Sequence, residues 1–295
     1  GTGFSWSRFC TQLLAQNCRL TILTRDLVRA QSTLPGAVNI VDDLAQLDNS
    51  PAIDGVVNLA GAPRADRRWT EKRKQVFYAS RVGLTENLFE YFSQPSVAAP
   101  AVLVSGSAVG YYGPRGDEKI DEGVGPGNCY SSELCSAWES MATRFENLGT
   151  RVCRLRTGVV LGQGGGALKA ILPAFKSFVG GPIGSGEQWM SWIHIDDIVE
   201  IILLALEEEK LEGPINATAP VPVQNREFAK ILGKVLSRPA VFPMPAIATK
   251  LLFGKMAEEL LLTGQQVIPA KLMNQSFAFR YQQLNPALTA ILKDS

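Results

Sequence analysis

Ser107 stands in the run Ser105-Gly106-Ser107-Ala108-Val109-Gly110-Tyr111-Tyr112-Gly113, directly after the apolar stretch Ala101–Ser105. A serine at the carboxyl end of a buried strand, among small residues, is placed to orient a substrate carbonyl. Chemistry of that kind takes its proton from a tyrosine whose pKa is lowered by a lysine four residues later, on the same helix face. None of the six tyrosines meets that spacing: Tyr78 is followed by Val82, Tyr91 by Pro95, Tyr111 by Arg115, Tyr112 by Gly116, Tyr130 by Leu134 and Tyr281 by Asn285. The next helix opens Tyr130-Ser131-Ser132-Glu133-Leu134-Cys135, and alignment on Glu139 puts Ser131 and Cys135 where the tyrosine and lysine belong. The catalytic dyad is missing. Tyr111, Tyr130 and Cys135, beside Ser107, are the remaining proton-donor candidates.

A second group of residues has the types that hold a dinucleotide. Gly1-Thr2-Gly3-Phe4 reads as the tail of a glycine-rich loop, in which backbone N–H groups approach a pyrophosphate at a helix start. The strand expected before such a loop is absent, which implies residues ahead of Gly1. Trp6 occupies the place of the third glycine, which normally lets helix and sheet pack closely. Thr24-Arg25 ends the next strand, where an acid would bind the ribose of NAD; Arg25 instead offers a cationic fork for a 2′-phosphate and favours NADP. Asp26 follows immediately and leaves NAD open. Leu59-Ala60-Gly61 leaves a further strand with little side-chain bulk, and Arg81 is a phosphate or ribose contact or a solvated helix arginine.

The elements that must position these groups alternate. Candidate strands are Arg19–Thr24, Gly55–Leu59, Ala101–Ser105 and Arg151–Leu155, with helices over 8–15, 71–92, 131–147 and 196–209. The fold class expected is α/β: an extended Rossmann fold with a parallel sheet, helices on both faces and a smaller C-terminal lobe. Residues 1–160 form the dinucleotide-binding domain, and 161–295 a substrate lobe and appended domain with segments returning to the first. The glycine-rich stretch 159–186 reads as loops closing over a site, and later helices cover 226–236 and 246–262. Asp196 or Asp197 is expected to cap the helix after His194, with His194 itself anchoring the segment rather than catalysing.

Composition excludes several classes. With 46% apolar residues and a formal charge of +1, the chain has a real core and no electrostatic footprint for nucleic acid. No apolar run approaches the ~20 residues that span a bilayer. The five cysteines (Cys10, Cys18, Cys129, Cys135, Cys153) lack metal-site spacing and point to reduced thiols in an interior compartment such as the cytoplasm. One histidine rules out a two-histidine metal site.

GTGF, TR, VVNLAG, RRW, SR, VSGSAVGYYG, RTGVVLGQGGGAL, GGPIGSGEQWMSWIHIDD, EFAKILGKVLSRPA and GQQVIPAKL resemble, in order, the epimerase-like atypical short-chain dehydrogenases/reductases with an appended C-terminal domain of unknown function. The family is often labelled nucleoside-diphosphate-sugar epimerase or cell-division inhibitor, and the detail is most similar to its cyanobacterial and plastid branch. The resemblance implies NADP(H), with contacts at Gly1, Thr2, Gly3, Phe4, Thr24, Arg25, Leu59, Ala60, Arg81 and Val160. It also implies a family-wide lack of the Tyr-x-x-x-Lys pair. Three functions stay open: a reductase or epimerase acting on an unknown small molecule, a nucleotide sensor working through partners such as division proteins, and a cofactor-free scaffold.

Overall fold

The computed structural model describes residues 6–48 and 51–293, with side chains from Phe9 onward. The expected glycine loop Gly1–Phe4 and the Trp6 side chain therefore lie outside the described residues.

In the first half, α1 (Trp6–Ala15) leads to β1 (Thr21–Leu23), α2 (Leu27–Thr33) and β2 (Asn39–Val41). Next come β3 (Gly55–Asn58), α3 (Glu71–Tyr78), α4 (Leu84–Phe92), β4 (Val102–Ala108), β5 (Lys119–Ile120), α5 (Tyr130–Thr143) and β6 (Arg151–Thr157). The second half runs β7 (Val159–Leu161), α6 (Gly166–Lys176), β8 (Trp189–Met190), β9 (Trp192–His194), α7 (Ile195–Glu207) and β10 (Gly213–Ala217). It ends with β11 (Val223–Gln224), α8 (Asn225–Leu236), α9 (Ala246–Phe253), α10 (Lys255–Leu260), β12 (Gln266–Val267), α11 (Ala270–Asn274) and α12 (Leu284–Leu292).

The main sheet has the order β10-β6-β4-β3 and is parallel throughout. β1 and β2 form a separate parallel pair. Alternation along β4 shows why helices cover both faces. Val102 and Val104 pack with Phe9 and Leu13 of α1 and with Ile198 and Ile202 of α7. Leu103, between them, packs on the opposite side with Leu88 and Phe92 of α4 and Phe145 beyond α5. A third core gathers α6, α8 and α12 around Leu161, Trp192, Phe228 and Leu288. β10 returns from the second half of the chain to pair with β6.

Four local expectations differ from the structure. The 159–186 stretch is not all loop, since β7 and α6 lie within it. Its glycines break the periodicity that would have marked them. The helix expected over 246–262 is two helices, divided at Gly254, whose φ of 58° cannot continue an α-helix. The helix over 71–92 passes through a π turn at Ala79–Gly83, which re-aims the side chains of Ser80 and Arg81. The cap of α7 is His194, whose Nδ1 accepts from Asp196 N–H at 3.1 Å, rather than Asp196 or Asp197. Asp197 is spent elsewhere, accepting from the N–H groups of Arg280 (2.7 Å) and Tyr281 (3.0 Å). The His194 ring stacks on Tyr281 with centroids 3.9 Å apart, which fixes the C-terminal segment over the start of α7.

Candidate functional site

The site is built where β4 ends beneath α5. α5 approaches closely because position 106 is glycine: a Cβ there would stand 2.6 Å from the Trp138 ring. Ser131, Cys135 and Glu139 then lie at i, i+4 and i+8 on one face of α5, all three buried. They line up along the end of β4. Ser131 packs against Gly110, Cys135 is in hydrogen-bonding contact with Ser107 and the Ala108 backbone, and Glu139 accepts from Ser107 Oγ at 2.7 Å.

Glu139 is the hinge of a buried network. Its carboxylate also accepts from Arg156 Nε and Nη2, both at 2.9 Å, in a bidentate pair whose side chains are each 4% exposed. Arg156 Nη1 donates to Tyr112 Oη at 3.0 Å, and Tyr112 donates to Asn216 Oδ1 at 2.6 Å. Asn216 Nδ2 donates to the Ile268 carbonyl, and the Glu122 carboxylate accepts from the N–H groups of Asn216 and Lys271. The network thus joins Ser107 to the segment around β12 and α11. Burial works against the Arg156 charge, but Glu139 outweighs it and holds the guanidinium above its ordinary value. Burial pushes the Tyr112 hydroxyl up to about 12.

The proton-donor candidates are differently placed. Tyr111 is half-buried, with the Arg156 guanidinium 3.6 Å from its ring centroid. Tyr130, at the first turn of α5, donates to the Lys74 carbonyl at 3.3 Å. Burial raises its pKa, although the charges of Arg64 and Arg81 oppose the rise. Burial likewise raises the Cys135 thiol, against the charge of Arg64. Neither group is tuned as an acid near neutral pH.

On the cofactor side, Arg25 is exposed on the turn between β1 and α2, and Thr24 is buried at the end of β1. Asp26, which left NAD open, caps α2 by accepting from Arg29 N–H at 3.0 Å through Oδ1. Leu59 and Ala60 are half-buried after β3. The Arg81 guanidinium lies across the next residue, Gly61, where a Cβ would stand 2.6 Å from its central carbon. Arg81 donates to the carbonyls of Ala62 (3.1 Å) and Phe77 (3.4 Å), and burial together with Arg64 lowers its pKa to about 10. Val160 is half-buried in β7 and packs against the α7 core. The structure brings Ser107, Cys135 and Tyr111 into one cluster, with Tyr130 at its edge and Arg81 reaching from the π turn to the loop at Gly61 and Ala62.

In the sequence Glu139 stands only as an anchor for alignment and Tyr112 only as a tyrosine without its lysine, while Arg156, Asn216 and Arg64 do not stand out as site residues. The available signal was Arg156 itself, a charge set among apolar residues in a strand whose neighbours are buried. Among the described residues, no group of histidine, cysteine or carboxylate side chains could hold a metal ion, and no helix is long and apolar enough to cross a membrane.

A parallel α/β sheet covered on both faces, with small and polar residues at the carboxyl ends of its strands, defines a Rossmann-type domain. Residues 1–217 match the family described as the NAD dependent epimerase/dehydratase family, and 244–291 match a domain of unknown function, DUF1731. The chain belongs to the NAD dependent epimerase/dehydratase family, in agreement with its motifs. It is 39% identical to "Epimerase family protein SDR39U1 homolog, chloroplastic" of Arabidopsis thaliana, over 99% of this chain and 85% of the relative. It is 36% identical to "Epimerase family protein SA0724" of Staphylococcus aureus, over 100% and 97% of the two chains. The crystal structure of human epimerase family protein SDR39U1 (isoform 2) with NADPH superposes with a TM-score of 0.88 at 33% identity, covering 100% of this chain and 97% of that one. UDP-glucuronic acid 4-epimerase of Bacillus cereus shares the fold, with a TM-score of 0.77 at 16% identity over 98% and 95% of the chains.

Proposed function

We propose that this protein is an NADP(H)-binding atypical short-chain dehydrogenase/reductase, with the dinucleotide along the strand ends and a small substrate over the end of β4. The observation that carries the reading is the division of labour at β1. Asp26 is turned to the first turn of α2, which it caps through Oδ1, and the exposed Arg25 beside it would meet the ribose and its 2′-phosphate. Leu59, Ala60 and Gly61 give the dinucleotide close access to the β3 exit, Arg81 supplies a cation beside it, and Thr24 and Val160 complete the walls. Gly1, Thr2, Gly3 and Phe4, outside the described residues, would contact the dinucleotide's pyrophosphate. The solved relative with NADPH supports this choice of nucleotide.

When bound, NADPH supplies hydride to a carbonyl substrate. Because Glu139 takes its proton, Ser107 would orient the substrate as an acceptor, meeting a substrate hydroxyl through an Oγ lone pair rather than donating to the carbonyl. Tyr111 and Tyr130 are the side chains that could relay a proton. The sealing of Ser107, Cys135 and Glu139 against one another also favours a second reading, in which the protein binds nucleotide and acts through partners without turnover. The two readings share the cofactor.

A charge-assisted contact contributes on the order of 1.5–3 kcal/mol. Arg25→Ala should therefore weaken NADPH binding about ten-fold or more and leave NADH nearly unchanged, by fluorescence titration. Equal losses for the two nucleotides would show that Arg25 does not read the 2′-phosphate.

A further inference from the structure

Arg64 has no part in the reading above, yet the fold holds it in place with care. Its loop is fastened at four points. Arg81 Nη2 donates to the Ala62 carbonyl at 3.1 Å, and Ala62 N–H donates to Ser80 Oγ at 3.0 Å. Arg73 Nη2 donates to the Pro63 carbonyl at 3.1 Å, and Trp69 Nε1 donates to the carbonyl of Arg64 itself at 2.8 Å. A loop tied this way presents its side chain in one direction. The half-buried guanidinium arrives over the first turn of α5, with Nη1 3.5 Å from Ser131 Oγ, at the position the missing tyrosine would hold. Nη2 is 3.9 Å from where a side chain on Gly110 would begin.

The charge balance there is incomplete. Arg64 and Arg81 are close enough that each opposes the other's charge, and both are half-buried. Among the described residues neither forms an ion pair with a carboxylate. Glu259 of α10 reaches the same turn of α5, but it accepts from Ser131 N–H at 2.9 Å and does not pair with Arg64. Two half-buried guanidiniums within electrostatic reach of each other, neither in direct contact with a carboxylate, are costly to hold there, and an anion bound between them would lower that cost. Among the described residues, the Arg81 guanidinium is held by carbonyls, a hydroxyl and the face of Trp138.

We propose that Arg64 determines substrate specificity by binding an anionic oxygen group, phosphate or carboxylate, carried by the substrate over the end of β4. This rests on the NADP(H) reading and deepens it. The same chemistry could come from the dinucleotide's own phosphates, and the two sources are separable.

Calorimetric titration of the full chain, saturated with NADP⁺, uses inorganic phosphate and then pyruvate as probes. Wild type binds at least one of them, and Arg64→Ala weakens that binding by about ten-fold or more, as expected for loss of a charged hydrogen bond. Arg64→Lys retains most of it, and Ala at the exposed neighbour Arg67 leaves it unchanged. Equal affinity in wild type and Arg64→Ala overturns the proposal. So does phosphate that competes with NADP⁺ but does not bind the saturated protein, because the arginines would then serve the dinucleotide. Failure to bind either probe overturns it as well. If no dinucleotide binds, the titration is repeated on the free chain. Loss of anion binding in Arg64→Ala then upholds Arg64 while the cofactor reading fails.

Discussion

Replacing Glu139 with alanine is expected to destabilise the fold by about 3–5 kcal/mol, the usual cost of stranding one member of a buried ion pair. Arg156 would keep its charge at 4% side-chain exposure and lose both hydrogen bonds to the carboxylate. It would retain Tyr112 Oη and the Glu122 carbonyl, neither of which carries a counter-charge. Ser107 would lose its acceptor as well. Since whole domains are stable by roughly 5–15 kcal/mol, a loss of this size leaves a marginal protein. Urea unfolding of wild type and Glu139→Ala measures it, and Glu139→Gln separates charge from hydrogen bonding. A midpoint unchanged in Glu139→Ala would show that water reaches Arg156 and that the network is not sealed.

The second large effect concerns turnover. A positioned general acid is worth about 10²–10⁴ in rate, and burial moves the Tyr130 hydroxyl and the Cys135 thiol away from that task by raising both. On the alignment expected from the sequence, Ser131 and Cys135 would take the tyrosine and lysine positions of α5; burial raises the thiol, and the Tyr130 hydroxyl is engaged with the Lys74 carbonyl. Hydride transfer from deuterated NADPH to a carbonyl panel and to sugar nucleotides should therefore be slow or undetectable. Any transfer that does occur should fall in Ser107→Ala. Fast turnover that survives the loss of Ser107 would place the chemistry elsewhere in the pocket.

The larger frame was readable because buried parallel strands announce themselves as apolar runs. The 101–105 run became β4, extended to Ala108, and the 151–155 run became β6, extended to Thr157. The polar ends of those strands are what the apolar criterion cut off, and they carry Ser107 and Arg156. Strands of two or three residues, such as β5, β8, β11 and β12, had no periodicity to read, because partners far away in sequence decide whether they form. His194 as a cap was hidden by two aspartates that are better cappers in isolation. Only the tertiary demand for Asp197 at Arg280 and Tyr281 reassigns the role. The Glu139–Arg156 pair spans β6 and α5, and no local pattern foretells which strand charge will meet which helix charge. Arg64 is the same case: its importance comes from a loop folded onto α5, not from its neighbours in sequence.

On the proposed function, this fold holds NADP(H) through Arg25 rather than NAD(H) through an acid. The most direct test is side-by-side fluorescence titration of the wild-type chain with NADPH and NADH. The account predicts saturable binding of both with NADPH the tighter, by about ten-fold or more if the 2′-phosphate gains one charge-assisted contact. Tighter binding of NADH, or no binding of either nucleotide, would contradict it.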